Sequence, residues 1–174
     1  MNKIAFSLVA GLALASSAFA GKEIKEYKEV VTPCFKDTEL QLDLFGTWVD
    51  TTAGNHSDGW GGGVGINYFF TRYLGIGGDA IIYDGNEAPG AWQFSGSLIA
   101  RFPVELGGLC LAPYLLGGGG YHSSDSKGGT LHAGGGVEFR IIPEKLGIYA
   151  EGRYTWVDGD NDNGQGRLGV RLVF

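Results

Sequence analysis

The residue types of a hydrolase come closest together in the segment Tyr121-His122-Ser123-Ser124-Asp125. A nucleophilic serine needs a histidine within hydrogen-bond reach and an acidic group that orients the imidazole. His122 and Ser124 share one side of an extended strand, and the candidate acid is Glu138 in the next predicted strand. Glu138 lies several residues inside that strand, too deep to orient His122. We therefore expect no enzyme activity, and lipid-modifying hydrolysis stays as a weaker alternative.

Two segments near the C-terminus match ligand-binding patterns only in part. Gly164–Gly169 reads G-x-G-x-x-G, but a dinucleotide site needs that pattern between a strand and a helix, and here a predicted strand follows. Asp158–Gly164 begins like an EF-hand loop, yet Gly169 stands where a bidentate glutamate is required. We expect a turn there, with a weak external divalent-ion site as the alternative. His132 is expected to be a hydrogen-bonded interior residue, and His56 indicates no specific chemistry. No cofactor or metal is predicted.

The first twenty residues have the three parts of an export signal. Lys3 supplies a positive charge, Ile4–Ala15 an apolar run, and Ala18-Phe19-Ala20 a small-x-small cleavage site. Cleavage after Ala20 leaves 19 acidic and 13 − 1 = 12 basic residues, a net charge near −7. Because no basic patch is visible, nucleic acid is not an expected partner. Residues 1–20 are thus a predicted signal peptide, and 21–38 a short periplasmic segment.

Eight later segments, each of roughly ten residues, alternate apolar with polar or glycine residues, the dyad pattern of transmembrane β-strands. A closed barrel is the sheet that satisfies every backbone hydrogen bond in a bilayer. We therefore predict an all-β fold over residues 39–174, an eight-stranded antiparallel transmembrane β-barrel with up-and-down meander order. The predicted strands are 39–50, 59–70, 73–83, 90–102, 109–121, 130–141, 146–156 and 166–174.

The parity of the fifth segment, 109–121, is open. Tyr114 and Leu116 compete for the outer face with Leu109, Leu111 and Leu115. In the other segments the apolar face is expected to point outward and the polar face inward. Inward glycines are expected to relieve crowding where the opposite wall carries large residues.

The polar faces predict a charged but packed interior. An eight-stranded barrel leaves an interior just wide enough for side chains to fill, and buried charges need partners of opposite sign. We expect a closed polar lumen, with a narrow porin-like channel as the alternative. The predicted lumen charges are Asp43, Asp79, Arg101, Glu138, Arg140, Glu151, Arg153, Arg167 and Arg171.

Aromatic residues favour a membrane barrel over a soluble lipocalin-like barrel. Membrane barrels carry one aromatic girdle at each interface. With the mature N-terminus in the periplasm, connections 51–58, 84–89, 122–129 and 157–165 are extracellular, and 71–73, 103–108 and 142–145 are periplasmic. The girdle predicted at the extracellular interface is Trp48, Trp60, Trp92, Tyr121 and Trp156, and the girdle predicted at the periplasmic interface is Phe70, Phe102, Phe139 and Phe174.

The chain has two cysteines, Cys34 and Cys110. Both are expected at the periplasmic rim of the barrel, in an oxidising compartment, so a disulfide is the favoured prediction over two unrelated thiols. Closing a loop of this length would contribute on the order of 4 kcal/mol in the chain-entropy model. The bond would also hold the Lys- and Glu-rich leader across the lower mouth of the barrel.

The signal, the eight segments, the stretch Ala112–Gly120 (APYLLGGGG) and the C-terminal Phe174 together resemble the OmpA/OmpX-type outer-membrane β-barrel domain family. The resemblance covers the chain from about Glu39. It implies a bacterial outer membrane, contact with its lipids and lipopolysaccharide, and insertion by the barrel assembly machinery. The assembly signal implied for the last strand is Leu168, Val170, Leu172 and Phe174.

The resemblance implies family and location more than activity. The sequence stops at the barrel and shows no peptidoglycan-binding domain, so a wall-anchoring role is not expected, and the predicted loops are short for an adhesin. We expect a monomer with a structural, membrane-integrity or surface-interaction role.

Overall fold

A computed structural model of the chain describes residues 33–51, 59–84, 90–123, 127–158 and 162–174. The predicted signal peptide and residues 21–32 lie outside the described residues, as do His56, Ser124 and Asp125. Among the described residues, no helix has the length and apolar character needed to cross a membrane. The described strands are β1 Glu39–Thr51, β2 Gly59–Phe69, β3 Leu74–Asp84, β4 Ala91–Arg101, β5 Val104–Leu106, β6 Leu109–Ser123, β7 Lys127–Ile142, β8 Leu146–Val157 and β9 Asn163–Val173.

Two strand pairings close the sheet into a ring. β1 pairs antiparallel with β9, with Leu42 opposite Leu172, and β4 pairs with β6, with Leu98 opposite Gly117. Each of the eight long strands therefore has two hydrogen-bonded neighbours, which removes the open edges of the sheet. The predicted eight-stranded antiparallel barrel with meander order is confirmed. Of the described strands, only the short β5, which pairs with β6, stands outside the ring.

The two ends of the barrel differ. Connections 70–73, 102–108 and 143–145 lie at one end, which we call the turn end. At the opposite end, the tryptophan end, Trp48 pairs with Trp60 across β1 and β2.

At the turn end, the predicted connection 103–108 is wrong in one respect. It contains β5, which forms a hairpin with the start of β6. Gly107 and Gly108 turn the chain with φ of 55° and 88°, angles that glycine adopts without a steric penalty.

At the tryptophan end, the strands are longer than predicted. Tyr121 pairs with Gly129 and His122 with Gly128, so most of the predicted connection 122–129 is strand. Similarly, β9 begins at Asn163 rather than Gly166. Gly128 and Gly129 pair through their backbones, but they have no side chains that could continue the apolar–polar alternation. The alternation in the sequence therefore stops before the strand does.

The faces of the barrel follow the predicted alternation. Leu44, Leu98 and Leu168 point outward and are 67%, 69% and 69% exposed. Arg101 and Glu138 point inward and are 1% and 0% exposed. This distribution is the inverse of a soluble barrel, which has an apolar interior and a polar surface.

The open parity of the fifth predicted strand is decided by the interior. Tyr114 and Leu116 of β6 are buried and point inward, and Leu109 and Leu115 are exposed. The Tyr114 hydroxyl donates a 2.9 Å hydrogen bond to Glu151 Oε2. A polar partner in the lumen therefore fixes the face that the apolar pattern leaves undecided.

Phe45 shows how large inward side chains fit in a narrow ring. Its cross-strand neighbours are Gly63 of β2 and Gly169 of β9. A Cβ at Gly169 would lie 2.7 Å from Phe45 Cβ and 2.7 Å from Tyr149 Cε1, distances that force a shift. The inward glycines are expected from the sequence to relieve crowding against the opposite wall. In the structure they make room for aromatic side chains on the neighbouring strands, because the register places the two side by side.

Replacing Gly169 by alanine should destabilise the barrel by about 1–3 kcal/mol, since the added methyl group overpacks the Phe45 and Tyr149 contacts. The matched control is Gly152→Ala, where an outward Cβ meets no atom within 4 Å. The control should be neutral or slightly stabilising. Urea unfolding of both refolded variants measures the difference, and equal stabilities would contradict the packing described for Phe45.

Candidate functional site

The half of the lumen nearest the turn end holds a neutral cluster of ion pairs. Arg171 donates to both oxygens of Asp43 at 2.7 Å and, through Nη1, to Glu138 Oε2 at 2.7 Å. Arg140 contacts Glu138 and Glu39, and Arg101 Nη1 lies 2.9 Å from Glu39 Oε1. Three arginines therefore face three carboxylates. The turn-end cluster is Glu39, Asp43, Glu138, Arg101, Arg140 and Arg171.

Glu39 is the member of this cluster that the sequence analysis missed. It is 1% exposed and contacts both Arg101 and Arg140. Its signal is present in the chain, because Glu39 shares the parity of the inward residues Gln41 and Asp43. Its position at the first residue of β1 hides the alternation.

A second neutral cluster lies nearer the tryptophan end. Arg153 contacts Asp79 at 3.0 Å and Glu151 at 2.9 Å. Arg167 contacts Asp79 at 3.1 Å and Glu151 at 3.7 Å. With this cluster, all nine predicted lumen charges lie in the interior, and each has a partner of opposite sign.

Aromatic side chains lie between the two clusters and contact both. The Arg171 guanidinium lies 4.5 Å from the Tyr149 ring centroid, and the Arg167 guanidinium 4.8 Å from that of Phe45. Such cation–π contacts stabilise arginines that are withdrawn from water. Ionic and aromatic side chains are therefore packed against one another in the lumen.

Among the described residues, two polar contacts cross the full width of the lumen. β3 and β8 lie opposite one another in the ring, as do β4 and β9. The Arg153–Asp79 contact joins the first pair of walls, and Gln165 Nε2 donates to Gln93 Oε1 at 3.2 Å across the second. Alternation puts Gln93 on the inner face of its strand, but local pattern cannot pair it with Gln165, since the two lie far apart in the chain.

The turn end is capped by the segment 33–38. The disulfide between Cys34 and Cys110, favoured by the sequence analysis, is present with the two Cα atoms 5.6 Å apart. Phe35 is 1% exposed, and its ring lies 4.8 Å from the Arg101 guanidinium and 4.9 Å from that of Arg140. Phe35 precedes the first predicted strand, so no alternation marks it as an interior residue. The predicted course of the leader, 21–32, falls outside the described residues.

The candidate hydrolase residues are not brought together. His122 is buried with Nδ1 3.4 Å from the Tyr83 hydroxyl, near the tryptophan end. Glu138 belongs to the turn-end cluster, and Ser124 lies outside the described residues. His132 Nε2 forms the expected interior hydrogen bond, 2.8 Å from Ser97 Oγ. Within the described ranges, no three histidine, cysteine or acidic side chains are arranged to hold a metal ion.

The predicted girdle residues lie on the outer surface near the two ends. Trp92 packs against Phe94 and Tyr121 at centroid distances of 5.1 and 6.0 Å, and Tyr154 against Trp156 at 5.1 Å. At the turn end Phe139 is half-buried. The remaining predicted members, all exposed, are Trp48, Trp60, Phe70, Phe102 and Phe174.

No protein-family model matches this chain, and no curated protein matches its sequence. Its fold is nevertheless shared with several solved barrels. Neisserial surface protein A (NspA) is 18% identical, with a TM-score of 0.61, over 79% of this chain and 97% of NspA. The N-terminal β-barrel domain of Pseudomonas aeruginosa OprF is 20% identical, with a TM-score of 0.58, over 80% of this chain and 99% of that domain.

A third similar structure is that of Ail, an outer membrane protein of Yersinia pestis, in complex with the heparin analogue sucrose octasulfate. It is 18% identical, with a TM-score of 0.52, over 79% of this chain and 99% of Ail. At these identities the likeness establishes the fold, a closed eight-stranded barrel, and nothing further.

Replacing Arg171 by leucine should destabilise the barrel by about 3–5 kcal/mol, because Asp43 and Glu138 would stay buried without their shared cation. The control is Arg72→Leu, which removes the partly exposed Arg72–Glu105 pair at the turn end. That change should cost about 0–1 kcal/mol. Unfolding midpoints of the two variants in the same detergent test this, and a loss for Arg171→Leu no larger than the control would contradict a buried network.

Proposed function

We propose that this protein is an integral outer-membrane β-barrel of the OmpA/OmpX type with a closed lumen and a structural, membrane-integrity or surface-interaction role. The observation that carries the proposal is the inverted distribution of side chains. A belt of leucine, isoleucine, valine and aromatic residues surrounds the closed ring, and the charges are inside. Water would not tolerate an exposed apolar belt of this extent on a monomer, whereas lipid would.

Orientation and export are part of the same proposal. Residues 1–20 act as the signal peptide, with cleavage after Ala20, and the turn end faces the periplasm. The tryptophan end then faces the exterior, with Trp48, Trp60, Trp92, Tyr121 and Trp156 at the outer interface and Phe70, Phe102, Phe139 and Phe174 at the inner one. The fold shared with Ail, an outer membrane protein, supports this location.

The lumen favours a structural component over a channel. Ion pairs or hydrogen bonds connect opposite walls through Arg153–Asp79 and Gln165–Gln93, and Phe35 covers the turn end. A permeating ion would have to break these contacts in a low-dielectric interior, where unpaired charges are costly. A narrow porin is therefore the second candidate, and a lipid A-modifying enzyme ranks below it because His122 and Glu138 lie apart.

The partners we propose are membrane lipids, lipopolysaccharide and the barrel assembly machinery. By sequence, the segments 50–58, 84–90, 124–129 and 158–162, which we propose to be extracellular, contain eight acidic residues and one lysine. Acidic connections repel phosphate groups, so contact with lipopolysaccharide would run through its acyl chains on the apolar belt.

The last strand is the proposed assembly signal. Leu168, Val170, Leu172 and Phe174 face outward, and the backbone of Phe174 exchanges hydrogen bonds with Leu40 of β1 at 2.9 and 3.2 Å. The strand that would be recognised during insertion is thus the one that closes the ring. Because the ring is complete within one chain, we propose a monomer.

The mature protein, refolded into a planar bilayer, should give no steady single-channel openings, because the lumen is bridged between opposite walls. Electrophoretic mobility that differs between boiled and unboiled samples would verify that the barrel has folded before the recording. Stable openings from folded protein would contradict the closed lumen and favour the porin alternative.

Placing arginine on the apolar belt tests the membrane setting directly. Leu168→Arg, near the middle of the belt, should cost about 2–4 kcal/mol of stability in lipid vesicles, and Leu106→Arg, exposed at the turn end, about 0–1 kcal/mol. Both leucines are well exposed, at 69% and 61%. Urea titration in vesicles gives the two values. If both variants are equally stable, the belt is not lipid-facing.

A further inference from the structure

The segment 33–38 crosses the turn-end mouth of the barrel from one wall to the opposite one. It leads into β1, and Cys34 is bonded to Cys110 at the start of β6. In the ring, β1 and β6 are four strands apart in either direction. The bond therefore holds the segment across a full diameter of the mouth.

Phe35 is the part of this segment that fills the mouth. Its ring packs over the guanidinium groups of Arg101 and Arg140. The side chain also belongs to a buried cluster with Cys34, Cys110 and Ala112. Cys34 and Cys110 are 6% and 2% exposed. The aromatic ring thus separates the turn-end ion pairs from the solvent below them.

Within the part of the chain that the structure describes, the segment has few polar contacts apart from the disulfide and Phe35. The Lys36 backbone N–H donates to Glu39 Oε2 at 3.3 Å, and Lys36 Nζ lies 3.4 Å from Glu144 in a partly exposed ion pair. Exposed pairs of this kind contribute little. A short segment that belongs to no strand and is held by one aromatic side chain and weak polar contacts opens locally at low free-energy cost once the disulfide is absent.

We propose that residues 33–38 form a plug that stays seated only while the Cys34–Cys110 disulfide is intact, so that thiol oxidation seals the turn end of the barrel. The proposal goes beyond the function proposed above. In the sealing step the two thiols lose two electrons and two protons and form one S–S bond. The acceptor is a disulfide-bonded oxidant, such as a thiol oxidase of the export compartment or oxidised glutathione, which leaves as a dithiol or two thiols.

When the plug is displaced, water should enter the turn-end half of the lumen, but the barrel should still not conduct ions. Without the plug, water reaches Glu39, Arg101 and Arg140. The Arg153–Asp79 and Gln165–Gln93 contacts lie farther from this end and still bridge the lumen. Access to the turn-end cluster and conductance are thus separate readouts of the plug and of the closed lumen.

The first test uses Cys110 as the reporter. In Cys34→Ser, folded in detergent, Cys110 should react with a small maleimide within about tenfold of the rate for a fully exposed thiol, because the plug opens freely. The exposed reference is Leu106→Cys in the Cys34→Ser/Cys110→Ser background, at the same rim. A rate more than tenfold below this reference overturns the proposal, because the plug would then stay seated without the bond.

The second test needs no substitution. The wild-type chain is refolded once under oxidising conditions and once under reducing conditions with alkylation, and each sample is digested with trypsin. Cleavage after Lys36 should be at least about tenfold faster in the reduced sample, and cleavage after Lys145, at the same end, should be unchanged. Equal Lys36 rates overturn the plug. Failure to fold into bilayers at all would instead overturn the proposed function.

Discussion

Charge neutrality inside a narrow ring is the constraint on which this structure depends. Among the residues that the structure describes, five arginines and five carboxylates occupy the lumen in two clusters, three against three and two against two. An uncompensated charge at this depth would be expelled or would draw water in, since the penalty of desolvation exceeds what any single hydrogen bond returns. The position of each arginine therefore restricts where carboxylates can occur on the strands around it.

The packing of the rest of the interior follows from those pairs. Arg171 and Arg167 lie against Tyr149 and Phe45, and these rings fit only because Gly169 stands beside both of them in the register. A lumen that holds both arginines and aromatic rings therefore requires glycines on the neighbouring strands. Bulky guanidinium and aromatic groups can share one layer of an eight-stranded ring only where a neighbouring strand offers no side chain.

The need to shield the lumen charges also explains why different residues cover them at the two ends of the barrel. At the tryptophan end the innermost charges are covered by neutral polar residues, among them Gln93 and Gln165, which bond to each other across the lumen. At the turn end Glu39, Arg101 and Arg140 lie close to the mouth, and an aromatic ring held by a disulfide covers them. A cluster near an opening needs a cover that the strands themselves do not supply.

The chain determined its own class through its two-residue alternation. The apolar face of almost every strand and the nine interior charges can be read from parity, because side chains alternate strictly along a strand. The position of each aromatic residue along its strand then indicates the end at which it lies. Local pattern was also enough to favour the disulfide, since both cysteines fall at the same rim.

Tertiary structure decided what parity cannot express. Which arginine meets which carboxylate, and that Gln93 faces Gln165, depends on the order of the strands around the ring and on their register. The inward face of β6 was settled by the bond between Tyr114 and Glu151, and the ends of β6, β7 and β9 by backbone pairing at glycines that carry no pattern. Phe35 belongs to no strand, so only the closed ring shows that it lies beneath two arginines. Alternation is a local property of one strand, whereas these contacts join residues that the chain separates and the barrel brings together.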